Sequence, residues 1–325
     1  MSSTDSLDPD PAAALERDAA GDETVRTYHG RPVVKQPEWT WEVPWYLFAG
    51  GLAGASTALA AGARLAGLSE VESRARLTAG AAAAASPVLL IMDLGRPERF
   101  HHMLRVFKPT SAMSMGSWIL AIYSPAAVAA AGLELLGWMP RIRTLADAVA
   151  TTFAMPMATY TAVLVSDTSI PVWSEAGAQL PFVFAGSAAA SAGATGTLLA
   201  GAEDAAPARR LAIAGAATEL VASEVMQRRL GDLGEAYEQG DAGRWDKAAK
   251  VCTAAGGGLL GLGSLLRPGK GRRALDLAGS ALALAGSVCQ RWAVYRAGFR
   301  SAWDPRHTVA PQRDRLARGE GYANT

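Results

Sequence analysis

Four long stretches of the chain contain no Asp, Glu, Lys or Arg, and they constrain the fold more than any other feature of the sequence. They run over Trp45–Ala63, Pro109–Leu133, Ala148–Ser166 and Ala176–Ala202. A helix needs about 20 predominantly apolar residues to cross the hydrocarbon core of a bilayer. Each stretch is therefore a candidate membrane span, and a soluble single-domain enzyme is not expected. The stretches also lack the alternating polar face, with its 3.6-residue period, that a soluble helical bundle would show.

These stretches, together with shorter or partly charged apolar segments, predict eight helices. The expected helices cover Trp45–Ala63, Leu77–Met92, Met115–Trp138, Leu145–Ser166, Leu180–Ala202, Leu211–Met226, Val251–Leu266 and Ala274–Tyr295. The sixth is the least certain span, because it contains Glu219 and Glu224. We expect Glu224 to pair with Arg228, four residues later. Glu219 has no evident partner, and a step in a proton route is one role open to it.

Polar segments flank the predicted membrane domain on both sides. The N-terminal segment is rich in Asp, Glu, Ala, Pro and Ser, and it cannot bury enough apolar surface to offset its ordering entropy. It has no apolar region after a basic start, unlike a signal peptide. We therefore expect a disordered polar tail at residues 1–38, an eight-helix membrane domain at 39–295 and a polar C-terminal tail at 296–325.

Several predicted helices carry stripes of small residues at four-residue spacing. The stripes are Gly50, Gly54, Ala58 and Gly62 in the first helix, Gly186, Ala190 and Ala194 in the fifth, and Gly257 and Gly261 in the seventh. In lipid the hydrophobic effect gives helices little reason to associate, so close backbone approach at small residues supplies packing energy. We expect these stripes to build the bundle and to bind no ligand.

The composition excludes several kinds of chemistry. The chain has 31 Lys and Arg against 30 Asp and Glu, and it shows no basic stripe with interleaved aromatics, so nucleic acid is not an expected partner. Its four histidines, His29, His101, His102 and His307, lie in tails or a loop, whereas a b-type haem needs paired histidines within facing helices. Two cysteines cannot hold a metal cluster. We therefore expect neither haem nor metal in this chain.

Polar side chains concentrate in three zones at the ends of predicted helices. The zones are Trp41–Tyr46 at the start of the first helix, Met92–Trp118 between the second and third, and Tyr160–Phe182 around the end of the fourth. Helices that run alternately up and down would place all three at one membrane face. Polar groups near membrane helices are costly to bury and are therefore functional candidates.

This set of side chains suits a quinone headgroup, which needs hydrogen-bonding groups at its ring oxygens and a carboxylate to exchange protons. Tyr46 and Tyr160 are candidates for the first task, and Glu42 and Asp93 for the second. The same residues also allow a purely structural interpretation, without a quinone. Asp93 and Arg96 would then pair only to fix the loop, and Tyr46 would only be one of the aromatic residues at the membrane surface.

The run LLIMDLGRPERFHHMLRVFKPTSAMSMGSW resembles the hallmark region of the NrfD/polysulfide reductase membrane-subunit family. WTWEVPWYLFAGGLAGAS, YTAVLVSDTSIPVW and LPFVFAGSAAASAGA support the likeness, which covers about residues 39–202. The resemblance implies a haem-free membrane subunit that interacts with quinol. It also implies a ferredoxin-like iron–sulfur partner connected to a molybdopterin catalytic subunit. The expected fold class is all-α, with eight transmembrane helices in two four-helix bundles.

By position, the resemblance also assigns roles to individual residues. Tyr46 falls near the family's quinone contact in the first helix, and Tyr160 falls on the tyrosine of the fourth helix that contacts the quinone ring. Asp93 matches the acidic residue that leaves the second helix, and Arg96 lies in the loop that faces the partner. Glu42 matches less closely, because the family's polar residue there can sit one position away.

The sequence therefore predicts a multi-pass subunit of the cell membrane. It would exchange electrons between a membrane quinone such as menaquinone and the iron–sulfur partner. The complex would be an oxidoreductase of the formate dehydrogenase or polysulfide reductase type. Whether this chain is itself quinone-reactive or non-catalytic is open. The alternative is a passive membrane anchor or a transporter-like subunit without a redox role. Transporters bind their substrates near the midplane of the bilayer, so polar zones at helix ends disfavour a transporter. They do not disfavour a passive anchor.

Overall fold

The computed structural model describes residues 34–35, 37–201 and 204–303, and every regular element in these ranges is helical. Eight long helices follow one another: α1 Glu42–Leu65, α2 Ser69–Met92, α3 Ala112–Leu136, α4 Pro140–Ser166, α5 Leu180–Leu199, α6 Ala206–Leu230, α7 Gly240–Leu265 and α8 Lys270–Trp303. Short helices at Pro97–Leu104, Pro171–Glu175 and Gly231–Tyr237 lie between them. Most of the predicted N-terminal tail at residues 1–38, and residues 304–325 of the predicted C-terminal tail, lie outside the described residues.

Local sequence signals start and stop these helices. The Ser111 side chain caps α3 by accepting a hydrogen bond from the Ser114 amide at 3.4 Å. Gly137 ends the same helix in the left-handed conformation, with φ at +61°, which glycine adopts without strain. Pro140 then begins α4 in the first turn, where a missing amide hydrogen costs nothing.

The predicted helices all exist, but several run further than their apolar segments. Helix α2 begins at Ser69 instead of Leu77, and α7 begins at Gly240 instead of Val251. Charged residues in these added turns find partners; Lys250, for example, contacts Asp246 at 2.8 Å within α7. Helix α8 continues from Tyr295 to Trp303, past the predicted start of the tail at residue 296, because its last turns pack on Trp173.

Six of the eight long helices are long and apolar enough to cross a membrane. They are α1, α2, α3, α4, α5 and α7. Helices α6 and α8 do not meet this measure, and both carry buried charged residues, among them Glu219 and Arg291. Large apolar side chains such as Leu65 and Leu262 are exposed on the surface of the described part, as expected of residues that face lipid. The structure is that of a multi-pass membrane protein.

Helices α1 and α5 occupy the centre of the assembly. Helix α1 packs against α2, α4, α5 and α8, and α2 and α3 complete a closed circuit with α4. In the C-terminal half, α5 contacts α6, α6 contacts α7, α7 contacts α8, and α8 returns to α5. The spans of α1 and α5 are the most buried of the six membrane-capable helices, so these two helices join the halves.

Small residues let these helices approach closely, as predicted for part of the stripes. A Cβ atom at Gly54 would lie 2.7 Å from the backbone nitrogen of Ala158 in α4. A Cβ atom at Gly186 in α5 would meet the backbone of Glu219 in α6. Gly62 and Gly261, by contrast, have nothing within 4 Å of an added Cβ. The stripes therefore build the interfaces at some of their positions and leave others open.

A cluster of charges ties together the ends of α1–α4 at one face of the molecule. The buried guanidinium of Arg76 contacts three carboxylates, those of Glu72, Glu134 and Asp147. Arg143 adds a contact to Glu134 at 3.3 Å, and Arg64 lies 3.8 Å from Asp147. Three acids and three bases thus balance one another.

We expect Gly54→Ala to lower the stability of the protein by about 1–3 kcal/mol, because the new methyl group would overlap the backbone of α4. Gly62→Ala, eight residues along the same stripe, is the matched control. It should be neutral or stabilising, because alanine favours helix and the space is open. Thermal unfolding in detergent measures both, and equal midpoints would contradict the packing described.

We expect Arg76→Gln to destabilise the protein by about 3–5 kcal/mol, because three carboxylates would lose their shared counter-ion. Arg74→Gln is the control, since Arg74 is exposed two residues away on the same helix. Chemical or thermal unfolding in detergent distinguishes the two. A similar small effect of both substitutions would show that the cluster contributes no more than an ordinary surface charge.

Candidate functional site

Glu42 and Asp93 meet at the end of the molecule opposite the Arg76 cluster, and Thr40 joins them. The Thr40 amide donates to Asp93 Oδ1 at 2.9 Å, and its hydroxyl lies 2.7 Å from the same oxygen. The Thr40 hydroxyl also contacts a carboxylate oxygen of Glu42. Glu42 is in the first turn of α1 and is only 8% exposed, whereas Asp93 follows the last turn of α2 and is half-buried.

The Thr40 hydroxyl is a donor that both acids share. It carries one hydrogen, whereas an ionised carboxylate can only accept. The two carboxyl groups therefore lie within reach of one hydroxyl, where α1 begins and α2 ends.

Aromatic residues anchor the segment that carries Thr40. The ring of Trp39 stacks on Trp173, with ring centroids 5.1 Å apart. The Tyr295 hydroxyl in α8 donates to the Trp39 carbonyl at 2.7 Å, and the Trp173 indole donates to the Val294 carbonyl at 2.7 Å. Tyr295 also lies near Asp93 and Glu42. Helix α8 thus holds the start of α1 in place beside the two acids.

Tyr160 lies in the core between α3 and α4. Its ring rests on Gly116, where a Cβ atom would collide with the ring carbons. Its hydroxyl oxygen is buried and has no hydrogen-bond partner in the described part of the chain. An unsatisfied buried hydroxyl costs about 1–3 kcal/mol, so this oxygen is placed where a further polar group is needed.

Tyr46 is a core residue and not one of the aromatic residues at the membrane surface. It is 2% exposed, whereas its neighbours Trp41 and Trp45 are 53% and 38% exposed. Gly54 lies opposite Ala154 and Ala158 on the antiparallel helix α4. From this contact, Tyr46 lies eight residues back along α1, and Tyr160 lies forward along α4, two residues after Ala158 and thus four after the midpoint of the contact. At 1.5 Å per residue, the two tyrosines therefore differ in depth by about 6 Å. Both belong to one cluster of buried side chains.

Arg96 does not join this group. It is exposed in the connection between α2 and the short helix Pro97–Leu104. Asp93 accepts its hydrogen bonds from Thr40, and among the described residues no ion pair links it to Arg96. The structural interpretation, in which Asp93 only pairs with Arg96, is therefore wrong.

On α6, the predicted pairing of Glu224 with Arg228 is confirmed, with the two side chains 2.8 Å apart.

The fold and these side chains agree with a comparison against known families. Residues 31–222, more than half of the chain, match the family described as polysulphide reductase, NrfD. The chain belongs to the NrfD family. NrfD proteins are membrane subunits of oxidoreductase complexes, so this chain is such a subunit. No curated protein matches the chain significantly. The matched region contains α1–α5 and most of α6, and thus all five predicted site residues of this NrfD protein.

Sequence reasoning missed three residues of this NrfD site. Thr40 gave no signal, because a threonine before a helix is usually a cap. Tyr295 lies some 200 residues from Asp93 in the chain, and only the packing of α8 on α1 brings them together. Gly116 could have been noticed as a small residue near a helix start. Across the described residues, no group of three or more His, Cys, Asp or Glu is placed to hold a metal ion.

We expect Gly116→Ala to destabilise this NrfD protein by about 1–3 kcal/mol, because its methyl group would displace the ring of Tyr160. Gly132→Ala on the same helix is the control, since nothing lies within 4 Å of its added Cβ. The penalty should disappear in a Tyr160→Ala background, where the ring is absent. A penalty that persists there would place the conflict elsewhere. Thermal unfolding of the unchanged protein, Gly116→Ala, Tyr160→Ala and the double variant measures this coupling.

Proposed function

We propose that this chain is a quinone-reactive subunit of the cell membrane that exchanges electrons between a membrane quinone, such as menaquinone, and an iron–sulfur partner. In this proposal all eight long helices span the bilayer, as two four-helix bundles formed by α1–α4 and α5–α8. The subunit uses no haem or metal of its own. Its partner is a ferredoxin-like subunit connected to a molybdopterin catalytic subunit, as in complexes of the formate dehydrogenase or polysulfide reductase type.

The unpartnered hydroxyl of Tyr160 is the observation that carries the proposal. It is buried at the end of the bundle that also holds Glu42 and Asp93, and it lacks the polar partner that buried hydroxyls normally have. A quinone oxygen is such a partner. Tyr46, about one helical turn away in depth, is the second aromatic side chain available to the same ring.

Proton exchange falls to Glu42 and Asp93 in this proposal. Oxidation of a quinol releases two electrons and two protons, and reduction of a quinone takes up the same numbers. A carboxyl pair joined through the Thr40 hydroxyl can accept or deliver a proton without moving a helix. The pair lies where α1 begins and α2 ends, so it connects the protein core with the aqueous boundary.

Arg96 takes a different role, at the docking surface for the iron–sulfur partner. It follows Asp93 by three residues, in the same connection between α2 and α3 as the exposed aromatic side chains of Phe100 and Phe107. A surface of exposed arginine and aromatic residues is typical of protein interfaces. Electrons then have a short path between a quinone near Tyr160 and a cluster seated on this face.

Electron transfer to a quinone analogue by the purified complex tests the proposal. We expect Tyr160→Phe to raise KM for the analogue about tenfold, through loss of one hydrogen bond. We expect Asp93→Asn to lower kcat roughly a hundredfold, the size of a general acid–base contribution.

Tyr123→Phe and Asp232→Asn are the matched controls. Tyr123 is a buried tyrosine of α3 whose hydroxyl pairs with Thr57, and Asp232 is exposed after α6. Both control proteins should turn over the analogue like the unchanged complex. If Tyr160→Phe and Asp93→Asn also retain unchanged KM and kcat, the chain is a passive anchor and the quinone proposal fails.

A further inference from the structure

A third polar cluster lies inside the C-terminal half, away from the helix ends that carry the other two. Its centre is Glu219 in α6, which is 1% exposed. The Thr253 hydroxyl from α7 donates to Glu219 Oε1 at 2.9 Å. Ser187 from α5 is the other hydroxyl beside this carboxyl. The remaining oxygen, Oε2, is buried and has no hydrogen-bond partner among the described residues.

Arg291 in α8 is the nearby opposite charge, and it is equally buried. Its Nη2 donates to the Phe184 carbonyl at 3.1 Å, and its guanidinium carbon lies 3.7 Å above the Phe184 ring. Its Nε and Nη1 have no partner within the described ranges, and the same holds for Nε2 of the adjacent Gln290. Glu219 and Arg291 thus each keep buried polar atoms without partners.

The two charges attract each other but do not form an ion pair in the described structure. Elsewhere in these helices a buried acid and base do pair directly. Arg209 of α6 contacts both oxygens of Asp276 of α8, at 2.7 and 3.1 Å. The arrangement at Glu219 is therefore not the way this protein packs a buried charge for structure alone.

An isolated buried carboxylate is very costly, and in practice such a group binds a proton or is solvated by internal water. Both states suit the geometry here. With a proton, the carboxyl group is neutral and can donate from Oε2. Without one, a carboxylate and Arg291 can neutralise each other through water that also satisfies the free nitrogens of Arg291. Few groups need to move between the two states.

Arg291 also links this cluster to the N-terminal half. Its Nη2 lies 3.2 Å from the position of a Cβ atom at Gly51 in α1. Gly51 follows Tyr46 by five residues on that helix. A larger residue at this position would push the guanidinium away, so the absence of a side chain there lets α8 place a charge against α1.

We propose that Glu219, Thr253 and Arg291 form a proton-binding site in the interior of the membrane domain, with the Glu219 carboxyl as the group that gains and loses the proton. The titratable groups near it are Arg291 and Cys289 on α8, and Cys252 on α7 lies near Cys289. Helix α5 contributes hydroxyls and no titratable residue. The proposal does not depend on the binding of quinone. Two of the helices that form this site, α7 and α8, lie outside residues 31–222, the part of the chain that matches the NrfD family.

Infrared difference spectroscopy of the full chain, titrated over pH in detergent or lipid, tests the site. The unchanged protein should show a carbonyl band of a protonated carboxylic acid that disappears as pH rises and shifts in heavy water. Glu219→Gln should lack this band. Glu224→Gln is the matched control, because Glu224 lies on the same helix but is exposed and paired with Arg228; it should keep the band.

Thr253→Val provides a second variant, which keeps the carboxyl group and removes its hydroxyl donor. It should shift the frequency of the same band, and it serves if Glu219→Gln does not fold. The proposal is overturned if the band of Glu219 does not respond to pH, or if the pH difference spectra of Glu219→Gln or Thr253→Val superimpose on that of the unchanged protein. Loss of quinone reactivity in the Tyr160 and Asp93 variants would leave these spectra unaffected.

Discussion

Close approach of helix backbones at small residues is the constraint on which the rest of this structure depends. In a bilayer, burying apolar side chains against one another gains little, because lipid tails are equally apolar. Contact therefore has to come from shape, and glycine and alanine allow α1 to lie against α4 at Gly54 and α5 against α6 at Gly186. These contacts bring α1 and α5 to the centre and determine which side chains of the outer helices can meet.

Charged residues then divide into two groups according to how they are satisfied. At one end of α1–α4, Arg76 contacts three carboxylates, which Arg64 and Arg143 help to neutralise, and between α6 and α8 Arg209 contacts both oxygens of Asp276. These pairs hold helix ends together. Glu42 and Asp93 instead share the hydroxyl of Thr40, and Glu219 and Arg291 keep polar atoms without partners among the described residues. Polar groups near membrane helices are costly to bury, so these two places are the ones for which we propose chemistry.

The interior position of Glu219 and Arg291 changes one argument made from sequence. The polar zones visible in the sequence lie at helix ends, which disfavours a transporter with a midplane site. Glu219 and Arg291 are buried inside helices, so the protein also contains an internal polar cluster. This cluster extends the possible chemistry of the C-terminal half to proton binding.

Much of the fold was predictable because long stretches without charged residues mark the candidate membrane spans. The helices are where the apolar segments predict them, and the family follows from motifs within residues 31–222. The helix ends were less predictable, since charged turns such as those around Arg76 and Asp246 look like loops until their partners are known. In the candidate site, Tyr46, Tyr160, Glu42 and Asp93 stand out in the sequence as polar residues near spans, whereas Thr40 and Tyr295 do not. The roles of these residues stay predictions.

The sequence by itself determined that this chain folds into membrane-capable helices and belongs to a family of oxidoreductase subunits. The helices follow from local composition, and the family follows from short sequence motifs. Only the tertiary structure decided that Thr40 joins Glu42 to Asp93, that Tyr160 keeps an unpartnered hydroxyl, and that Arg291 lies near Glu219 without pairing to it. These contacts join residues far apart in the chain, and they depend on which helix faces approach each other. Single-helix patterns carry no information about that choice.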